Sequence, residues 1–179
     1  MHPKFAEFID SMLPPAEAAV VKQLLGLHWS GLKVLRASSS MKYHHEKENY
    51  MPYGLINHIM RTVWIANELC IEEQGKYNEN AHKRNDVIIA AFLHDMGKML
   101  TVRQSHAQLG LKYLQVAEIS DGIRDMVSHH HHNWDVHPCQ TIWERIVAFA
   151  DYLASRPDVE IAALAKWYLE PSDEKEETA

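Results

Sequence analysis

Apolar side chains recur every three or four positions along most of this 179-residue chain, and clean period-two alternation is hard to find. A spacing near 3.6 gathers them on one face of a helix, so the pattern predicts helices throughout, packed into an all-α bundle. With 46% of residues apolar, the chain can bury one real core, and it is too short for two comfortable ones. The periodicity and its breakers predict helices over residues 4–13, 16–36, 54–74, 86–100, 104–117, 121–131, 140–155 and 158–169. Pro14 and Pro15 end the first, and Asn85 or Asp86 caps the fourth. Residues 37–52, with three serines and a charged run, lack periodicity and read as a loop. The expected layout is N-terminal helices over 1–40, a main body over 41–156, a helix over 157–170 and a disordered acidic tail over 171–179.

Charge and cysteine usage narrow the function classes. Five acids against one lysine in residues 170–179 carry −4 of the formal −6, leaving only −2 for the rest. No strongly basic field exists to hold nucleic acid as a bulk ligand, although a local patch is still compatible with these numbers. Cys70 and Cys139 stand far apart without metal-type spacing, which fits a reducing, cytoplasmic setting. No stretch is apolar enough for a signal peptide or a membrane span, so no membrane partner is expected.

Chemistry gathers on the inward faces. The run Val87-Ile88-Ile89-Ala90-Ala91-Phe92-Leu93 leads straight into His94-Asp95, with Lys98 three residues on. A carboxylate at the edge of a core needs a partner or a cation, and imidazole with carboxylate is a common ligand set for transition metals. One His-Asp dipeptide is little more than a helix end. His58, however, shares a helical face with Leu55 and Ile59, and Asp151 falls one turn after Val147 in another apolar helix. Taken singly, His58 reads as a core histidine and Asp151 as a partner for Arg145 or Arg156. Together His58, His94, Asp95 and Asp151 bring two imidazoles and two carboxylates from three helices, enough for one divalent ion with room for water.

The order H…HD…D on inward faces, with the pair set in Leu-His-Asp-Met-Gly-Lys, resembles the HD-domain metal-dependent phosphohydrolase superfamily over roughly residues 54–156. The resemblance implies an HD-domain helical bundle in a single domain, with His58, His94, Asp95 and Asp151 as ligands. His106-Ala107-Gln108-Leu109-Gly110 and Ser128-His129-His130 are similar to the second-metal residues of some members. That likeness implies a two-metal site bridged by Asp95, with His106, His129 and His130 on the second ion. The ions would be Mn, Fe, Ni, Co or Zn, one or two of them. Four consecutive histidines cannot all point one way, and the family spacing favours His129 and His130 over His131 and His132. Asp95 and Lys98 are the expected catalytic residues, Lys98 offsetting charge on phosphoryl oxygens or simply ending a helix.

Tyr43-His44-His45, followed by Gly54-Leu55-Ile56-Asn57-His58, resembles the opening of bacterial HD-domain exoribonucleases and of conjugative-relaxase-associated HD proteins, with Tyr53 where those carry a first glycine. His44 and His45 are then substrate-binding positions, or ordinary polar loop residues. The Gly-Tyr-Pro signature of cyclic-dinucleotide phosphodiesterases is absent after the histidine run, where Trp134 offers a ring to stack on a base or to pack. The expected substrate is a phosphorylated small molecule, a nucleotide or a nucleic acid strand, cleaved by metal-activated water. A di-iron oxygenase and a non-catalytic HD signalling or binding module are the alternatives. Residues 1–36 are amphipathic enough to pack on the core or to form a homodimer.

Overall fold

Proline and small capping side chains set the first helices of the computed structural model, which describes residues 1–37, 53–77, 81–100, 106–115, 119–131 and 138–155. Helix α1 (Pro3–Met12) starts on Pro3, its Lys4 amide donating to His2 Nδ1 at 3.3 Å, and buries Phe5 and Ile9 one turn apart. The chain turns at Leu13 and Pro14, and Pro15 opens α2 (Pro15–Leu27), whose buried residues are Ala18, Val21, Leu24 and Leu25. The single helix expected over 16–36 breaks at His28, and a short α3 (Trp29–Leu32) follows. The break re-aims the chain so that Trp29 stacks on Phe5 at 5.5 Å between ring centroids.

Helix α4 (Gly54–Tyr77) is 24 residues long. Helix α5 (Ala81–Leu93) begins five residues before the expected Asp86. Its polar first turn has no apolar rhythm to reveal it. Arg84 anchors that turn instead, donating through Nε (2.9 Å) and Nη2 (2.5 Å) to Asn67 Oδ1 on α4, and through Nη1 (3.2 Å) to Met12 O. Helix α5 also ends early, at Leu93, and a 3-10 turn over Met96–Met99 replaces its expected last stretch. Then come α6 (His106–Leu114), α7 (Asp121–Ser128) capped by Ser120, and α8 (Ile142–Ala154) capped by Thr141. The described residues contain eight α-helices and no strand.

From Val87 to Leu93 no residue of α5 is more than 6% exposed, so this half of the helix is apolar all round and sits at the centre. It packs against α2, α4, α7 and α8. Each fully buried Leu, Ile or Phe contributes about 1.5–3 kcal/mol, and Phe92 gathers the rings of Phe5 and Phe8 edge-on at 6.2 and 5.8 Å. Residues of α1 and α2 therefore pack on the core. Among the described residues no helix is long and apolar enough to cross a membrane. The end of the loop and the helix expected over 38–52 and 158–169, and the tail over 171–179, lie outside the described residues.

Tyr53, just before α4, has φ 68°, a left-handed conformation that favours glycine. Its amide donates to Lys33 O at 2.8 Å and the Leu55 amide to Leu35 O at 3.1 Å, so two successive bonds impose the geometry. Left-handed backbone costs a non-glycine residue about 1–2 kcal/mol, against about 0.4–1 kcal/mol for glycine's extra freedom when unfolded. Tyr53→Gly should therefore raise the unfolding free energy slightly, by about 0.5 kcal/mol, and with it the chemical denaturation midpoint. Tyr53→Val, β-branched, should lower it. The reverse order would show that the strain is absent.

Candidate metal centre

The break between α5 and the 3-10 turn is where the chemistry sits. Had α5 continued, His94 and Asp95 would diverge by about 100°. With Asp95 instead at φ −96° and ψ 7°, His94 Nε2 comes within 3.2 Å of Asp95 Oδ2. His94 is fixed by its other nitrogen, Nδ1, which donates to Ala91 O at 2.8 Å and so aims Nε2 inward. From α4, His58 is fully buried, with Nε2 2.7 Å from Asp151 Oδ1 and 3.7 Å from Asp95 Oδ2. From α8, Asp151 Oδ1 also lies 3.6 Å from His94 Nε2. Asp151 thus meets the two histidines, and Arg156, one of the partners its sequence neighbourhood offered, lies outside the described residues.

A second cluster lies on the other side of Asp95. His106, the first residue of α6, places Nε2 2.9 Å from Asp95 Oδ1. Its Nε2 is also 3.3 Å from His130 Nε2 and 3.0 Å from His131 Nε2. His130 Nδ1 is engaged with Val127 O at 2.7 Å, which leaves the lone pair on its Nε2. Asp95 therefore offers Oδ2 to one group and Oδ1 to the other.

The structure sets one of the expected ligands apart from this group. His129 turns away, its Nδ1 lying 2.6 Å from Glu144 Oε2, and His131 joins His106 and His130. Family spacing favoured His129, but helical phase points elsewhere: His130 and His131 follow the buried Val127 by three and four residues, whereas His129 follows the exposed Asp125 by four. Glu144 was missed altogether. Its signal was the Thr141-x-x-Glu144 capping pattern at the start of α8. His44, His45 and Trp134 lie outside the described residues.

Lys98 Nζ is 2.6 Å from Asp95 Oδ2 and donates to Ala37 O at 2.7 Å. The lysine thus neutralises the shared carboxylate directly. Burial opposes charge on both Asp95 and Asp151, yet the surrounding His94, Lys98 and His106 around the first, and His58 with His94 around the second, hold both carboxyls well below the ordinary range. Burial also works against a charged His94, but Asp95 and Asp151 outweigh it and lift His94 to about 10. His130 goes the other way, driven well down by burial and then by the neighbouring His131, His94 and His106. Burial likewise lowers His58 and His131.

These donors fit divalent transition ions. His94 Nε2 and Asp95 Oδ1 are buried, yet their close neighbours lie at angles that make no hydrogen bond. Imidazole lone pairs converging at 3.0–3.3 Å repel one another unless a shared proton or cation lies between them. Two ligands bonded at about 2.1 Å to one ion and at right angles lie about 3.0 Å apart, which matches that spacing. Imidazole and carboxylate together suit Mn, Fe, Co, Ni and Zn. The ligand-capable groups His58, His94, Asp95 and His106, His130, His131 each bring their donor atoms within 4.8 Å of one another. A cation entering the first group must displace the His94 proton, so uptake should release protons at neutral pH.

A helical bundle with imidazoles and carboxylates converging from α4, α5, α6 and α8 defines a class of metal-binding α-helical proteins. The chain belongs to the HD domain family, whose family model matches residues 55–156, from the first turn of α4 to just past α8. No curated protein and no solved structure matches it.

Proposed function

We propose that this protein is a metal-dependent phosphohydrolase that cleaves a phosphoester of a nucleotide or nucleic acid strand. The observation that carries the reading is Asp95, which presents Oδ2 to His58, His94 and, across them, Asp151, and Oδ1 to His106 and His130. Two adjoining places for cations, sharing one carboxylate, suit a reaction in which charge builds on both the attacking and the leaving oxygen. Divalent ions held there supply an acidified water and neutralise phosphoryl charge.

The chain's own residues prepare that chemistry. His58, His94 and Asp95 are at most 1% exposed, which keeps bulk water from competing for the donor atoms. The Ala91 and Val127 carbonyls hold Nδ1 of His94 and His130 and orient the rings. Lys98 keeps the Asp95 carboxylate ionised and adds positive charge beside it, favourable to an anionic substrate. Cys70 and Cys139, buried and not joined in a disulfide, fit the reducing cytoplasm that this reading assumes.

The test loads the full chain with Mn, Fe, Co, Ni or Zn and offers nucleotides, dinucleotides and short RNA and DNA strands. Phosphoester cleavage that stops with chelator and with Asp151→Asn is the expected result. Protein that holds two ions and cleaves none of these substrates with any of the five metals overturns the reading. Oxygen uptake by the iron form would favour the oxygenase alternative instead.

A further inference from the structure

Glu144 is 4% exposed, deeper than a helix-capping glutamate needs to be. Its Oε1 accepts from Thr141 Oγ1 at 2.8 Å, while Oε2 accepts from the Gln140 amide at 3.0 Å and lies 2.6 Å from His129 Nδ1. The first two contacts cap α8. The third reaches across to the residue that ends α7 and begins the histidine run. Residues 128–130 are each held: Gln108 Nε2 donates to Ser128 O at 3.2 Å, Cys139 Sγ to His129 O at 3.4 Å, and His130 Nδ1 is fixed on Val127 O. The Glu144 contact acts on the His129 ring itself, and adjacent residues of a turn rotate together.

We propose that Glu144 is a positioning residue for the second cluster: by holding His129 outward, it fixes the phase in which His130 and His131 both turn toward His106. The inference rests on the two-cation reading above. It makes α8 a two-ended scaffold, since Asp151 follows Glu144 by seven residues, two turns and about 10 Å along the same face. One end of the helix supplies a donor to the first cluster, and the other sets the histidines of the second. Loss of an outer partner of a ligand typically weakens metal binding 10–100-fold.

Calorimetric titration of the metal-free full chain with Mn²⁺, and separately with Co²⁺, tests this. The wild type should take up two ions. Glu144→Gln should weaken the second ion 10–100-fold and leave the first within about threefold. His129→Leu keeps Glu144 free to cap α8 through Gln140 and Thr141, so it separates positioning from capping, and it should show the same selective loss. His129→Gln, whose amide can still donate to Glu144, should recover most of the second-ion affinity. Wild-type affinities for both ions in His129→Leu, or an equal loss of both, would overturn the proposal. If Glu144→Gln does not fold, His129→Leu and His129→Gln decide alone. A wild type that takes up only one ion, or none, would overturn the two-cation reading itself, a result distinct from two ions bound equally by every variant.

Discussion

Asp95→Asn should abolish binding of both cations together. The two oxygens of this carboxylate face different clusters, Oδ2 toward His94 and His58 and Oδ1 toward His106 and His130, and no other residue in the site does so. Removing its charge leaves Lys98 and a protonated His94 buried beside a neutral amide, at 2.6 and 3.2 Å in the native arrangement. Breaking one side of a buried charge network costs about 3–5 kcal/mol, partly relieved here when His94 sheds its proton. Affinity for each ion should fall by more than about 100-fold, beyond the loss expected for an outer-shell partner. Asp151→Asn should cost only the first ion and His131→Ala only the second. Calorimetry with metal analysis of the purified variants checks this. One ion retained by Asp95→Asn at wild-type affinity would show that the carboxylate is not shared.

Among alanine substitutions at Gly26, Gly31, Gly97, Gly110 and Gly122, Gly97→Ala should have the largest effect. A Cβ at Gly97 would lie 1.8 Å from His106 O and 2.7 Å from Gly110 N, both backbone atoms at the start and middle of α6. Backbone cannot swing aside as a side chain can, so α6 has to move by more than about 1 Å to restore van der Waals distance. Overpacking of this kind costs about 3 kcal/mol, the upper end of its usual range. His106 rides on α6 and would leave Asp95 Oδ1, so the second ion should be lost selectively. The first cluster, carried by α4, the end of α5 and α8, should survive. Gly110→Ala makes the comparison, because its added Cβ meets Gly97 N at 3.3 Å and Val127 Cγ1 at 3.7 Å. Its cost should be well under half as large. Urea unfolding with metal stoichiometry would measure both. Wild-type stability and two ions in Gly97→Ala would mean that close approach of the 3-10 turn to α6 is not what the glycine is for.

Much of the architecture was legible because burial writes itself into spacing. The helices carrying His58 and Asp151 follow the expected ranges to within a few residues, and the faces that bury Leu55, Ile59 and Val147 also bury the chemistry. What was not legible depends on contacts distant in sequence. The first turn of α5 is polar and is held by Arg84 reaching Asn67 and Met12, 17 and 72 residues away. The break after Leu93 follows no proline. It answers to the packing of Gly97 on α6, which cannot be read from residues 86–100 alone. The exchange of His131 for His129 has the same origin, since a carboxylate 15 residues on captures the ring that spacing had assigned to the metal.

The backbone just after α3 carries a further consequence. Carbonyls of Lys33, Leu35 and Ala37 accept, in order, the Tyr53 amide, the Leu55 amide and Lys98 Nζ. Five residues of plain peptide thus brace the start of the His58 helix at one end and the ammonium on Asp95 at the other. All five precede the stretch that matches the family, residues 55–156. For anyone cutting this protein down to its recognisable domain, the boundary suggested by kinship and the boundary required by mechanics differ. A fragment beginning at Leu55 would keep every candidate metal donor named above, yet lose the carbonyls that hold the start of the His58 helix and the ammonium on Asp95.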